Sequence, residues 1–274
     1  MKKFVSLLLA LALVLSLAAA SAEALTPITI GATTAPHAEI LELVKDDLAA
    51  LGYDLQITEF TDYNLPNDAV ANGELQANYF QHIPFLTSYN ATVDADKQLV
   101  AAIPVHYEPY GIYAGKTKSL EELADGATIT ITNDPSNETR ALFLLQDAGL
   151  ITLPEDADVQ TSSLTVLDII DNPKGLNILE VEANTLPATL EDADLAVING
   201  NFAIAANLSP ATDAIFLEPA DGESGKIFTN YVVVRTGEET EPWVEALRSV
   251  LQSDKVKDFM LTNEAYAGGV IPVF

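Results

Sequence analysis

Residues 26–60, TPITIGATTAPHAEILELVKDDLAALGYDLQITEF, decide the fold class. Residues 26–31 (TPITIG) read as a short strand running into Gly31. Residues 38–51 then place Ile40, Leu41, Val44, Leu48 and Leu51 on one face of a 3.6-residue repeat, which predicts an amphipathic helix. Residues 55–60 (LQITEF) return as a strand. Strand, helix and strand of these lengths predict parallel pairing with a right-handed crossover, and hence an α/β architecture.

The alternation continues along the chain. Residues 65–72 read as a short helix stopped by Gly73, and 75–80 as another strand. Residues 105–115 (VHYEPYGIYAG) are rich in β-formers and precede a helix signal at Ser119, with Glu122 at the capping-box position. Residues 127–132 are a strand. Asp134 and Pro135 then supply an N-cap and a first-turn proline to a helix over 137–148 that Gly149 ends. Residues 177–181 and 195–199 are further strands with a helix after each. Residues 231–235 are a strand, and 242–251 and 255–261 are closing helices. No long Pro/Ser linker separates the two series, so the pattern predicts two lobes that share strands.

Composition narrows the function. Thirteen basic residues face 40 acidic ones, a formal charge of −27, so nucleic acid and anionic membrane surfaces would be repelled. The absence of cysteine excludes disulfides, Cys-ligated metals and a thiol nucleophile. Lys2 and Lys3 precede an apolar run over residues 4–20 and a small-x-small ending, Ala20-Ser21-Ala22 or Ala22-Glu23-Ala24. That is the pattern of a secretory signal peptide over residues 1–22, cut between Ala22 and Ala24. The mature protein is expected to be exported and soluble, in a periplasm or outside the cell.

Familiar catalytic signatures are missing. HExxH, GxSxG, GxGxxG and a phosphate loop do not occur, and no nucleophile–base pair is marked. His37, His82 and His106 lack metal-ligand spacing, so no metal or cofactor is expected. The acidic runs at 94–96, 155–158 and 191–194 lack the glycine and distal glutamate of a calcium loop and read as solvated turns.

Arginine is scarce. Arg248 falls in an amphipathic helix and Arg235 ends a strand, both ordinary surface places. Arg140 sits two turns into a helix that starts at the carboxyl end of a strand, where open α/β sheets bind ligands. Free N–H groups at the helix start and a guanidinium in the second turn would clamp a carboxylate. The alternative for Arg140 is an internal ion pair.

Several longer stretches resemble a known family. They include Phe60-Thr61-Asp62-Tyr63 with Pro66-Asn67, Ala77-Asn78-Tyr79-Phe80-Gln81-His82, and Asn133-Asp134-Pro135-Ser136-Asn137 with Arg140. Ala196-Val197-Ile198-Asn199, Asn172-Pro173-Lys174 and the ending Ile271-Pro272-Val273-Phe274 follow in colinear order. Together they resemble the methionine-binding (NlpA/MetQ-type) substrate-binding proteins of ABC transporters, over nearly the whole mature chain. The resemblance implies a two-lobe type II periplasmic-binding-protein fold with the ligand in the interlobe cleft. Lobe 1 would comprise residues 23–114 and 216–274, and lobe 2 residues 115–215.

The resemblance also implies a binding protein and not an enzyme, working as a monomer that delivers methionine to a permease. A D-amino acid or a methionyl dipeptide is the alternative cargo; an exported zinc-binding protein or a hydrolase is the alternative class. Carried over by motif, Tyr63 and Phe80 would wall the side-chain pocket with His82 hydrogen-bonding beside them. Arg140 would take the carboxylate, and Asn199 and Asn230 would orient the zwitterion. The residues by themselves also allow Tyr63 and Phe80 to be core aromatics, His82 a structural histidine and Asn199 a helix cap. The chain departs from the family at its lipid anchor: Ala20-Ser21-Ala22 stands where a lipobox cysteine would be, so membrane association is expected through the transporter.

Overall fold

The computed structural model describes residues 24–219, 224–266 and 268–274; the expected signal peptide lies outside them. The strands are β1 (Thr26–Thr33), β2 (Tyr53–Phe60), β3 (Ala77–His82), β4 (Leu99–Tyr107), β5 (Gly111–Ala114), β6 (Thr128–Thr132), β7 (Asn177–Val181), β8 (Leu195–Ile198), β9 (Ala214–Leu217), β10 (Thr229–Arg235) and β11 (Ile271–Pro272). They form two sheets, ordered β11-β4-β10-β3-β1-β2 and β7-β6-β8-β5-β9. Each sheet supports one lobe, and the chain crosses between them after β4 and again after β9. This is an α/β, two-lobe architecture.

Both sheets are mixed, and the expected parallel pairing holds within the strand–helix–strand units. The βαβ-built pairs β1–β2, β1–β3, β6–β7 and β6–β8 are parallel. The strands flanking the crossings are antiparallel to their neighbours, as in β10 against β3 and β4, and β5 against β8 and β9. A strand that enters a sheet from the other lobe arrives without a covering helix, so nothing imposes the parallel direction. Gly111–Ala114 and Ala214–Leu217 pair within the second sheet, whereas the expected divisions fell after 114 and after 215.

The expected helix over 38–51 is two short ones, α1 (Glu39–Leu43) and α2 (Lys45–Ala50). At Val44 the backbone reaches φ −98°, ψ 3° and its N–H bonds Leu41 O at 3.2 Å, one residue tighter than an α-turn. Ile40, Leu41, Val44 and Leu48 still share the buried face against β1, but the tightened turn rotates Leu51 out to 50% exposure. After Ser119 no helix forms. Its Oγ does accept the Glu122 N–H at 3.3 Å, but only Leu123 is well buried before Gly126, and one capped turn does not repay helix nucleation.

The longer remaining helices follow the sequence closely, with one exception. They are α3 (Pro66–Ala71), α4 (Ile83–Asn90), α5 (Pro135–Asp147), α6 (Gly200–Ala205), α7 (Pro242–Leu251) and α8 (Asp254–Thr262). The Asp134 carboxylate caps α5 by accepting the Asn137 N–H at 3.0 Å. Helix α4 was not anticipated: its N-cap is His82, whose Nδ1 accepts the Phe85 N–H at 3.2 Å, and histidine is not among the preferred caps. The break at Val44 gives a direct comparison. Leu48→Ala should lower stability by about 2–5 kcal/mol and Leu51→Ala by about 0.5 kcal/mol or less in urea titrations; similar losses would mean one continuous buried face.

Candidate functional site

Four strand ends converge where the lobes meet. Asn199 follows β8, Glu108 follows β4, Phe80 and His82 close β3, and Asn230 opens β10. With Tyr63, Phe85, Asn137 and Arg140 they surround a narrow cavity of about 20 Å³. All six residues singled out from the sequence, Tyr63, Phe80, His82, Arg140, Asn199 and Asn230, line it.

One end is aromatic. Tyr63 lies 5.7 Å from both Phe80 and Phe85, ring centre to ring centre, and 4.9 Å from Phe202. Its hydroxyl donates to Asn201 Oδ1 at 2.5 Å, a bond from lobe 1 to lobe 2. Asn184 Nδ2 donates to Thr61 O at 3.1 Å across the same gap. His82 also bridges the lobes. Because its Nδ1 accepts the Phe85 N–H, its Nε2–H donates to Asn137 Oδ1 at 3.0 Å. Both ring nitrogens are therefore engaged with protein, and His82 offers the cavity its ring rather than a free hydrogen bond. Burial holds its pKa down at about 3, with Arg140 acting the same way.

The other end is charged. Arg140 projects from α5 into a cage of Phe228, Tyr110 and Tyr107, with its guanidinium carbon 3.9 Å from the Phe228 ring centre. Nε donates to Glu218 Oε1 at 3.2 Å, and Nη2 bonds Glu218 Oε2 and donates to Glu108 O at 2.9 Å. Arg140 is thus in an internal ion pair, the alternative raised for it, and it also stands beside the cavity. Nη1 has no hydrogen-bond partner among the described residues. Glu218 Oε2 also accepts from the Tyr107 hydroxyl at 2.6 Å and the Tyr110 N–H at 3.2 Å. Burial alone would push the Glu218 carboxyl up, but the guanidinium and these donors hold it below the ordinary carboxylate value.

The cavity lining also holds Glu108, a carboxylate 6% exposed with no lysine or arginine on its side chain. Burial raises its pKa, opposed by His37, by the Asn201 N–H and by Arg140. It reaches so close to α6 that a Cβ at Gly200 would lie 2.8 Å from Glu108 Cβ and 2.9 Å from its Oε2. Asn199 makes no side-chain cap on α6, and its Oδ1 is buried without a partner, so the helix-cap alternative does not describe it. Asn230 Oδ1 accepts from His37 Nε2 at 3.0 Å.

The NlpA lipoprotein family model matches residues 28–274. The chain belongs to the NlpA lipoprotein family. It is 40% identical to the methionine-binding lipoprotein MetQ of Bacillus subtilis over 248 residues, covering 90% of this chain and 88% of the relative. The D-methionine-binding lipoprotein MetQ of Escherichia coli K12 is 39% identical over 236 residues, 85% of this chain and 82% of the relative. Among solved structures, a nutrient binding protein from Burkholderia cenocepacia bound to methionine superposes with a TM-score of 0.84 at 40% identity, covering 90% of this chain and all of that one.

Four elements of this NlpA-family site escaped the sequence reading: Glu108, Glu218, Phe85 and Asn137. Asn137 stood inside a quoted motif. Glu108 and Glu218 carried no signal, because they are two acids among 40. Among the described residues no helix is long and apolar enough to cross a membrane.

The three histidines give a pH prediction. Burial lowers His37 to about 4 and His82 and His106 to about 3. Below the unfolded value of 6.5 the unfolded rings take up protons that the folded ones refuse, so these groups withdraw stability as the pH falls from 6.5 towards 4. NMR titration of the imidazole protons should show no ring titrating between about pH 8 and 5, against an ordinary midpoint near 6.5; an ordinary midpoint for any of the three would contradict the buried, neutral assignment.

Proposed function

We propose that the chain is an extracytoplasmic solute-binding protein that captures methionine or a closely related amino acid and delivers it to an ABC importer. One observation carries the reading. A buried carboxylate without a cation, Glu108, faces the same cavity as a guanidinium with one unbonded terminal nitrogen, Arg140. An α-amino acid presents the matching pair, an ammonium for Glu108 and a carboxylate for Arg140. Asn199 Oδ1, buried and unpartnered, is a second acceptor for the ammonium. Leaving the Glu108 carboxylate buried without a cation is costly, and a zwitterion supplies that cation together with an acceptor for the free Arg140 nitrogen.

The aromatic end selects the side chain. Tyr63, Phe80 and Phe85 present ring faces and edges to a tail of a few atoms, and a thioether gains polarizable contact there beyond plain area burial. The relatives named for methionine and D-methionine, and the structure bound to methionine, support this choice. Contacts to both lobes favour the closed state by the ligand's differential affinity for it, and closure presents one docking face to a permease. We read the role as capture without turnover, by a monomer that associates with the membrane through its transporter.

Calorimetric titration with L-methionine, D-methionine and a methionyl dipeptide tests the cargo and its handedness. Methionine at about 100 times its Kd should stabilise the protein by about 2.7 kcal/mol, seen as a rise in Tm. Ligand released by denaturation should have the mass of intact methionine. No rise in Tm with any of the three, or recovery of a product instead, would reject the reading. Arg140→Ala alone is not a clean probe, because stranding Glu218 costs about 3–5 kcal/mol. The pair Arg140→Met with Glu218→Gln removes both charges and should abolish the methionine-induced shift.

A further inference from the structure

Behind the cavity, on the lobe 1 side, His37, His106 and Glu108 bring ligating atoms within 4.8 Å of one another, all buried. Two imidazoles and a carboxylate are a zinc donor set. Tyr79 decides against a metal. Its hydroxyl is fully buried and has one hydrogen-bond partner among the described residues, His106 Nδ1 at 2.5 Å. The phenol hydrogen therefore goes to that nitrogen, which must be the acceptor. The neutral ring then carries its own hydrogen on Nε2, 2.7 Å from Glu108 Oε1.

His37 is fixed the same way. Its Nε2 lies 3.0 Å from Asn230 Oδ1, which can only accept, so that nitrogen also bears the hydrogen. Thr33 Oγ1 then donates to Nδ1 at 2.7 Å. With both Nε2 lone pairs used, neither ring can face a metal between them. What remains is a chain of donors, Tyr79 to His106 to Glu108, ending on the carboxylate that faces the cavity.

We infer that His106 is a positioning residue for the ammonium seat, with Tyr79 setting its tautomer, so that the Glu108 carboxylate is held aimed into the cavity. The inference rests on the reading of Glu108 as the ammonium's partner. A neutral donor suits this task better than a cation. It stabilises the carboxylate by hydrogen bonding while leaving its full negative charge for the guest, whereas a lysine or an imidazolium there would cancel it.

The test compares L-methionine with 4-(methylthio)butanoate, which keeps the thioether and carboxylate but lacks the amine. By calorimetry the unaltered protein should bind methionine at least about thirtyfold more tightly, the low end for losing one member of a buried charge pair. His106→Leu should cut that preference about tenfold, as expected for a hydrogen bond to a charged group. His106→Gln, whose amide nitrogen can take the place of Nε2, should retain most of it, and Tyr79→Phe should fall between. If the Leu variant weakens both ligands equally, or neither, His106 is only structural and the inference fails. Stoichiometric zinc binding by the unaltered protein, titrated with zinc chloride alone, would overturn the tautomer assignment. A lack of preference for methionine in the unaltered protein would remove the ammonium seat itself, while methionine binding as such could still stand.

Discussion

The buried Arg140–Glu218 pair is the constraint on which the rest of the site depends. Arg140 belongs to α5 in lobe 2, yet it holds the backbone oxygen of Glu108 at the first crossing and the carboxylate of Glu218 at the second. One guanidinium therefore ties both connections between the lobes. Taking two charges out of water is expensive, and a hydrophobic pair of similar size is often as stable. What the ion pair supplies here is orientation: with Nε and Nη2 committed to protein, the remaining nitrogen keeps a fixed aspect toward the cavity. The Phe228 ring against the guanidinium excludes water from the same spot.

That local arrangement matters because the protein as a whole is strongly negative. Long-range potential does nothing to draw in a carboxylate, so attraction has to come at close range, in a dry setting where charge interactions are strong. The same dryness keeps three imidazoles neutral, so the charged groups beside the cavity include Glu108 and the Arg140–Glu218 pair. A guest with one charge of each sign leaves the net charge of the protein unchanged, and its tail meets rings that carry no charge at all.

The framework was legible in the sequence wherever local chemistry governs. Residues 177–181 and 242–251 fall where strand alternation and helical spacing put them, and Asp134-Pro135 opens its helix as written. Arg140 stood out because a rare residue occurs at a helix start after a strand. The failures have a common cause in contacts that lie far apart along the chain. The direction of β10 depends on β3 and β4, more than a hundred residues away. Glu108 and Glu218 differ from dozens of solvated acids only through what surrounds them in the fold. His82 lines the cavity, but its cap on α4 and its bond to Asn137 are visible only in three dimensions.

Gly200 carries a final consequence. Its bare α-carbon lets the start of α6 settle directly on Glu108, so the two halves of the molecule meet there backbone to side chain with nothing between. The tightness of the shut form is thus set by the smallest residue at the seam. Any bulkier one would act as a doorstop, holding the jaws ajar and admitting solvent onto the one acid that most needs to stay dry.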